Sequence, residues 1–186
     1  MKYIIFFLFI LFSLCCSPSA IKYNEVINQP EIVKKTIWID IRFNQKEINE
    51  IESGISEWQY ALAGTYNFSI IKNFDMQKDQ ISGYYYNWFI LKKDASDVKA
   101  RGIDKNGITL AYTDRLGGNI IVVINNRNTK LKGVIMHEIG HLLGIKHTNS
   151  GLMYPFYNNT ECIDITTAKE VSNILYLDLN KIRYCY

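Results

Sequence analysis

All three histidines of this chain fall in one run, His137-Glu138-Ile139-Gly140-His141-Leu142-Leu143-Gly144-Ile145-Lys146-His147. His137 and His141 stand four apart, so on a helix of about 3.6 residues per turn they share a face, and both imidazoles can reach one ion. Gly144 lacks a Cβ and can take the left-handed conformation that ends a helix, which lets the chain swing back and bring in His147 as a third ligand. Three neutral ligands leave a fourth position open, the arrangement of a catalytic zinc and not of a closed structural one. Glu138 lies beside the first ligand without room to coordinate alongside both histidines, and its expected role is the base. Zinc lowers the pKa of a bound water toward neutrality, Glu138 takes the proton, and the activated water attacks a carbonyl polarised by the metal. The chemistry implied is hydrolysis of a polypeptide, with one catalytic zinc ion as cofactor.

A helix must carry those ligands, and Lys130 to Leu143 has the spacing for it, with Leu131, Val134, Ile135, Ile139, Leu142 and Leu143 apolar and Asn128 and Thr129 available as caps. Upstream, Thr36 to Phe43 alternates as a half-buried strand. Asn44 with Glu47 then forms a capping-box pattern that opens a helix with Ile48, Ile51, Ile55, Trp58 and Leu62 on one stripe, closed at Gly64. Tyr66 to Ile71 is a second strand, and the aromatic run Tyr84 to Leu91 a third, apolar enough to be central and covered on both faces. Lys92 to Asn106 is polar and loop-like. Gly107 to Thr113 and Asn119 to Asn125 read as short strands joined by a turn at Leu116-Gly117-Gly118. Thr167 with Glu170 suggests a capping box for a final helix through Val171, Ile174 and Leu175. The order predicts an α/β (α+β) fold with a mixed sheet of about five strands.

At 186 residues, with 48% hydrophobic and 21% charged side chains, the chain suits one globular domain. A net charge of +3 gives no sign of a nucleic-acid binder, and a monomer is expected. Lys2 followed by apolar Tyr3 to Leu14 has the pattern of an export signal, too short to span a bilayer comfortably. Its end reads two ways. Cys15 and Cys16 before Ser17 resemble a lipoprotein processing site, although Leu14 is larger than the residue usual there, while Ser17-Pro18-Ser19 offers an ordinary small-residue cleavage site. Membrane association would come only through such an amino-terminal lipid. The expected organisation is a signal over 1–16, with cleavage as late as 20, a tether over 17–35 and a catalytic domain over 36–186. Cys162 and Cys185 are then the only cysteines of the body, and a disulfide is the natural inference for an exported chain.

The zinc run resembles the extended motif of the metzincin metallopeptidases, and Thr148 after the third histidine is similar to the matrixin type within them. Ser150-Gly151-Leu152-Met153-Tyr154-Pro155 is similar to the matrixin Met-turn, which implies that Met153 lies beneath the zinc as a hydrophobic base. Gly107-Ile108-Thr109-Leu110-Ala111-Tyr112 and Gly117-Gly118-Asn119-Ile120 resemble the family's antiparallel edge strand and the strand after it. The resemblance implies that backbone groups around Leu110 and Ala111 hold an extended substrate, and that Pro155 to Tyr157 form a wall of the primed-side pocket. Three departures stand out. Tyr112 and Val122 or Val123 occupy the region where matrixins place histidines for a second zinc, no cysteine-switch segment is present, and only five residues separate His147 from Met153. Calcium is common in that family, and Asp94, Asp97, Asp104, Asp114 and the Gly117-Gly118 turn offer oxygen atoms, but no defined calcium loop is present and solvated loop charges explain them more simply. The expected function is a zinc-dependent endopeptidase, secreted or held at the surface as a lipoprotein. The competing reading, a surface-binding lipoprotein stabilised by zinc, leaves Glu138 without a role.

Overall fold

Alternation in the first strand sets the layering. β1 (Val33–Asp40) turns Ile37 and Ile39 into the main core and Trp38 to the opposite face of the sheet. The structure, a computed structural model, describes residues 31–79, 87–94, 109–114, 118–124, 130–156 and 158–185. In it β1 lies parallel to β2 (Tyr66–Phe74) on one side and to β3 (Asn87–Asp94) on the other. β3 continues parallel to β5 (Asn119–Ile124), and β4 (Ala111–Asp114) closes the sheet as an antiparallel edge, giving the order β2-β1-β3-β5-β4. This is the mixed five-stranded sheet that the sequence predicts. Trp88, Phe89, Ile90 and Leu91 are all buried, two on each face, as a central strand covered on both sides requires.

Both ends of β1 and the far end of β3 differ from expectation. β1 begins at Val33, inside the stretch taken as tether, because Val33, Lys34 and Lys35 pair through their backbones with Tyr66, Asn67 and Phe68, a pairing that exposed side chains do not announce. It ends at Asp40, before Phe43, because the Asp40 carboxylate accepts from Arg42 and turns the chain. β3 runs on through Lys92, Lys93 and Asp94, whose ladder with Val122, Val123 and Ile124 outweighs their polarity. Tyr84, Tyr85 and Tyr86 lie outside the described residues.

The first helix, α1 (Gln45–Ala61), starts at the expected capping box. The Glu47 N–H donates to Asn44 Oδ1 at 3.0 Å, and the Asn44 N–H to Glu47 Oε2 at 2.7 Å. Its apolar stripe, Ile48, Ile51, Ile55 and Trp58, is buried, as is Leu62 just beyond. α1 fixes the placement of α2 (Leu131–Leu142) by four contacts. A Cβ at Gly54 would come 2.9 Å from the Lys132 carbonyl, so glycine there permits close helix approach. The Trp58 indole donates to the Met136 carbonyl at 2.9 Å, and Lys132 pairs with Glu57 at 2.7 Å. The Leu131 N–H, at the start of α2, donates to Glu50 Oε2 at 2.6 Å. Lys130 takes the N-cap position without a side-chain capping bond, and a carboxylate from α1 does the capping instead. Asn128 and Thr129, the expected caps, lie outside the described residues.

The capping box expected from Thr167 and Glu170 is not what starts the last helix, α3 (Ile165–Leu175). Asp164 is its N-cap and accepts from the Thr166 and Thr167 N–H groups, so Thr167 falls inside the first turn, fully buried. A 3₁₀ turn at Leu179–Lys181 follows, and Ile182 returns to the core. The expected disulfide joins Cys162 and Cys185, with Cα atoms 6.1 Å apart, and the Cys185 N–H donates to the Ile163 carbonyl at 2.9 Å.

Candidate active site

α2 carries His137 and His141 on one face and ends as the glycine requires. Gly144 has a φ of 106°, its N–H donates to the His141 carbonyl, and the Ile145 N–H donates back to the Gly140 carbonyl at 2.9 Å. That reversal brings His147 to the other two. One ring nitrogen from each of the three histidines lies within 4.8 Å of the others, and among the described residues this is the cluster of metal-capable side chains that forms. His141 Nε2 and His147 Nε2 are 3.2 Å apart. Two nitrogen ligands at about 2.0–2.1 Å from one tetrahedral ion must stand about 3.3 Å apart, so the spacing fits zinc.

The outward nitrogens are tied down by backbone. His137 Nδ1 donates to the Leu152 carbonyl at 2.7 Å and His141 Nδ1 to the Ile145 carbonyl at 2.8 Å. Both bonds fix the tautomer that leaves Nε2 as the lone-pair donor available to a metal ion. Burial also pushes the pKa of His137 down to about 4, only partly offset by its bond to Leu152, so the ring stays neutral and able to ligate.

Glu138 is buried beside these ligands, with 6% of its surface exposed. Burial pushes its carboxyl pKa up to about 7, against the opposing effect of a hydrogen bond from Thr113 on β4. A nearby cation would draw that value down again. Glu138 is not part of the cluster formed by the three histidines.

The turn after His147 supports the ligands from below. The Thr148 N–H donates to the Met153 carbonyl at 2.9 Å, and the Thr148 hydroxyl to the Ser150 carbonyl at 2.7 Å, so five residues suffice to close the loop. Met153 is fully buried, and a Cβ at Gly140 would overlap its sulfur. Met153 is thus the hydrophobic floor on which the ligand helix rests. Asp164 fastens the same turn by accepting from the Leu152 N–H at 2.7 Å, and Gly151, with φ 73°, has no room for a Cβ against that carboxylate.

His137, His147 and Glu138 line a cleft of about 570 Å³, together with Leu110 and Ala111 at the sheet edge and Pro155 beyond the turn. Tyr157 lies outside the described residues, as do Cys15 and Cys16; Phe156, within the expected stretch Pro155 to Tyr157, lines the cleft, and so does Tyr154, which the sequence did not announce. Asp97, Asp104 and Gly117, raised as calcium ligands, also lie outside the described residues.

A model of the matrixin peptidases matches residues 19–176, most of the chain. The chain belongs to the matrixin family. Among curated proteins, karilysin of Tannerella forsythia is 45% identical to this matrixin over 51 residues, 23% of this chain and 11% of karilysin. Among solved structures, high choriolytic enzyme 1, a hatching enzyme zinc-protease from the medaka fish Oryzias latipes, aligns with a TM-score of 0.38 at 18% identity, over 62% of this chain and 46% of that one. The matched stretches take in less than half the length of either protein.

Proposed function

We propose that this matrixin is a zinc-dependent endopeptidase that hydrolyses extended polypeptides outside the cytoplasm. The observation that carries the reading is the convergence of three histidine nitrogens beside a buried, non-ligating Glu138 in an open cleft. When bound, zinc supplies a Lewis acid that polarises the scissile carbonyl and acidifies water. His137, His141 and His147 would hold the ion. Glu138 takes the proton from the attacking water at its carboxylate and returns it to the departing amine. Among the described residues β4 pairs with β5 alone, and its other edge, at Ala111 with Leu110 just before it, is suited to receive an extended peptide as an added strand. Val134 and Leu152 give the cleft an apolar wall for a substrate side chain.

Export belongs to the same proposal. The Cys162–Cys185 disulfide is at home outside the reducing cytosol, and Lys2 with the apolar run after it reads as a signal. The intact mass of the exported protein distinguishes a lipidated Cys15 or Cys16 from a chain cut near Ala20. The test of function is peptide-library digestion read by mass spectrometry, with and without zinc. Internal cleavages that vanish on chelation and return with zinc support the reading, and a zinc-loaded protein that cuts no peptide in the library contradicts it.

A further inference from the structure

We propose that Thr113, on the edge strand, is a positioning residue that holds the Glu138 carboxylate in its working orientation. The proposal rests on the reading of Glu138 as the base. Thr113 Oγ1 lies 2.6 Å from Glu138 Oε2 and 3.2 Å from the Glu138 backbone carbonyl, so both acceptors within its reach belong to the same residue. The contact joins two elements, β4 and α2, that are otherwise remote in sequence. Glu138 is buried, and a buried carboxylate without a fixed donor has several rotamers and a large desolvation cost. Donation to Oε2 fixes the side-chain torsions and leaves Oε1 as the oxygen free to meet a water in the cleft.

The position of Thr113 gives this bond a second consequence. Ala111, two residues earlier on β4 and on the same face of the strand, borders the cleft. The strand whose free edge is offered to substrate therefore also carries the group that orients the base. Pairing of a peptide with β4 would stiffen that strand and with it the Thr113 hydroxyl, so the base would be best ordered when substrate is in place. An ordinary β-branched strand residue would need only its methyl groups for packing. The short bond from the hydroxyl to the carboxylate is what distinguishes Thr113 from that role.

The test compares zinc-loaded wild type, Thr113→Val, Thr113→Ser and Glu138→Gln proteins on one quenched-fluorescence peptide, with zinc content and thermal midpoint measured for each. Valine preserves shape and branching but removes the donor, while serine keeps the donor. Thr113→Val should retain its zinc and lose about tenfold in kcat with KM within about twofold, the pattern of a lost transition-state interaction. Thr113→Ser should recover most of the rate. Wild-type kcat in Thr113→Val beside an inactive Glu138→Gln protein would overturn the role of Thr113 alone. A serine variant as slow as the valine one, with both equally lowered in thermal midpoint, would also overturn it by showing a structural role. An active Glu138→Gln protein would overturn the reading of the base and the proposal with it. Should Thr113→Val fail to fold, the kcat ratio of Thr113→Ser to Thr113→Ala is read by the same criteria.

Discussion

Asp164→Ala should weaken the fold and the zinc site together, although Asp164 touches neither metal nor ligand. Its carboxylate accepts four bonds, from the Thr166 and Thr167 N–H groups at 2.9 and 3.1 Å, the Thr167 hydroxyl at 2.7 Å and the Leu152 N–H at 2.7 Å. Losing the cap alone costs about 0.5–2 kcal/mol, and losing a charged acceptor for the Leu152 N–H about 1.5–3 kcal/mol. Because the bonds share one group, the combined loss should be about 2–4 kcal/mol, a substantial part of the 5–15 kcal/mol typical of a domain. The carbonyl of the same residue, in the next peptide unit, accepts from His137 Nδ1, so a loosened Leu152 frees the His137 ring to rotate. Zinc affinity should fall on the order of tenfold, the low end for an outer-shell partner. Urea unfolding with excess chelator measures the stability term free of zinc linkage, and competition with a chromophoric chelator measures the affinity. Asp164→Asn keeps one acceptor oxygen and should fall between. Burial alone would raise the Asp164 pKa, but the hydrogen bonds from Leu152, Thr167 and Thr166 hold it below the usual carboxylate range. A lowered folded-state pKa means that this stabilisation is full above the unfolded value, about 3.9, and is lost as pH falls through the folded one. The difference between wild type and Asp164→Ala should therefore be constant near neutrality and shrink below about pH 4. A stability loss under about 0.5 kcal/mol with unchanged zinc affinity would refute the chain of support from Asp164 through Leu152 to His137.

Two further outcomes follow from the packing around the ligands. Gly140→Ala should cost about 1–3 kcal/mol in urea unfolding, because the new methyl overlaps Met153, and a double-mutant cycle with Met153→Ala should recover part of that loss. Replacing Cys162 and Cys185 by serine opens a crosslink of sequence separation 23, for an expected loss of about 3 kcal/mol, with kcat little changed wherever the variant remains folded.

The histidine cluster was legible in the sequence because local geometry alone decides it: the i, i+4 spacing of His137 and His141, and a positive-φ glycine before His147. The α1 capping box and its apolar stripe were legible for the same reason, since every partner lies within a few turns. The cap of α2 was not, because its acceptor is Glu50 on another helix. At α3 the Thr167 and Glu170 pattern competed with Asp164, and the charged acceptor three residues earlier prevails because it also satisfies Leu152. Ile163-Asp164-Ile165-Thr166-Thr167 carried that signal, an acid just ahead of two helical N–H groups. Thr113 could be placed on a strand but not against Glu138, because strand-to-helix contacts across the sheet edge leave no periodic trace. The start of β1 was obscured in the same way by exposed Val33 and Lys34, which are held through backbone pairing.

The central claim, that Glu138 works as a base beside a zinc it does not bind, is tested most directly by the Glu138→Gln protein. Zinc content and peptide cleavage are to be measured on the same preparation. The account predicts one zinc per chain, bound as in wild type, and cleavage reduced by at least about a thousandfold. Wild-type cleavage in that zinc-loaded protein, or loss of its zinc, would contradict the account.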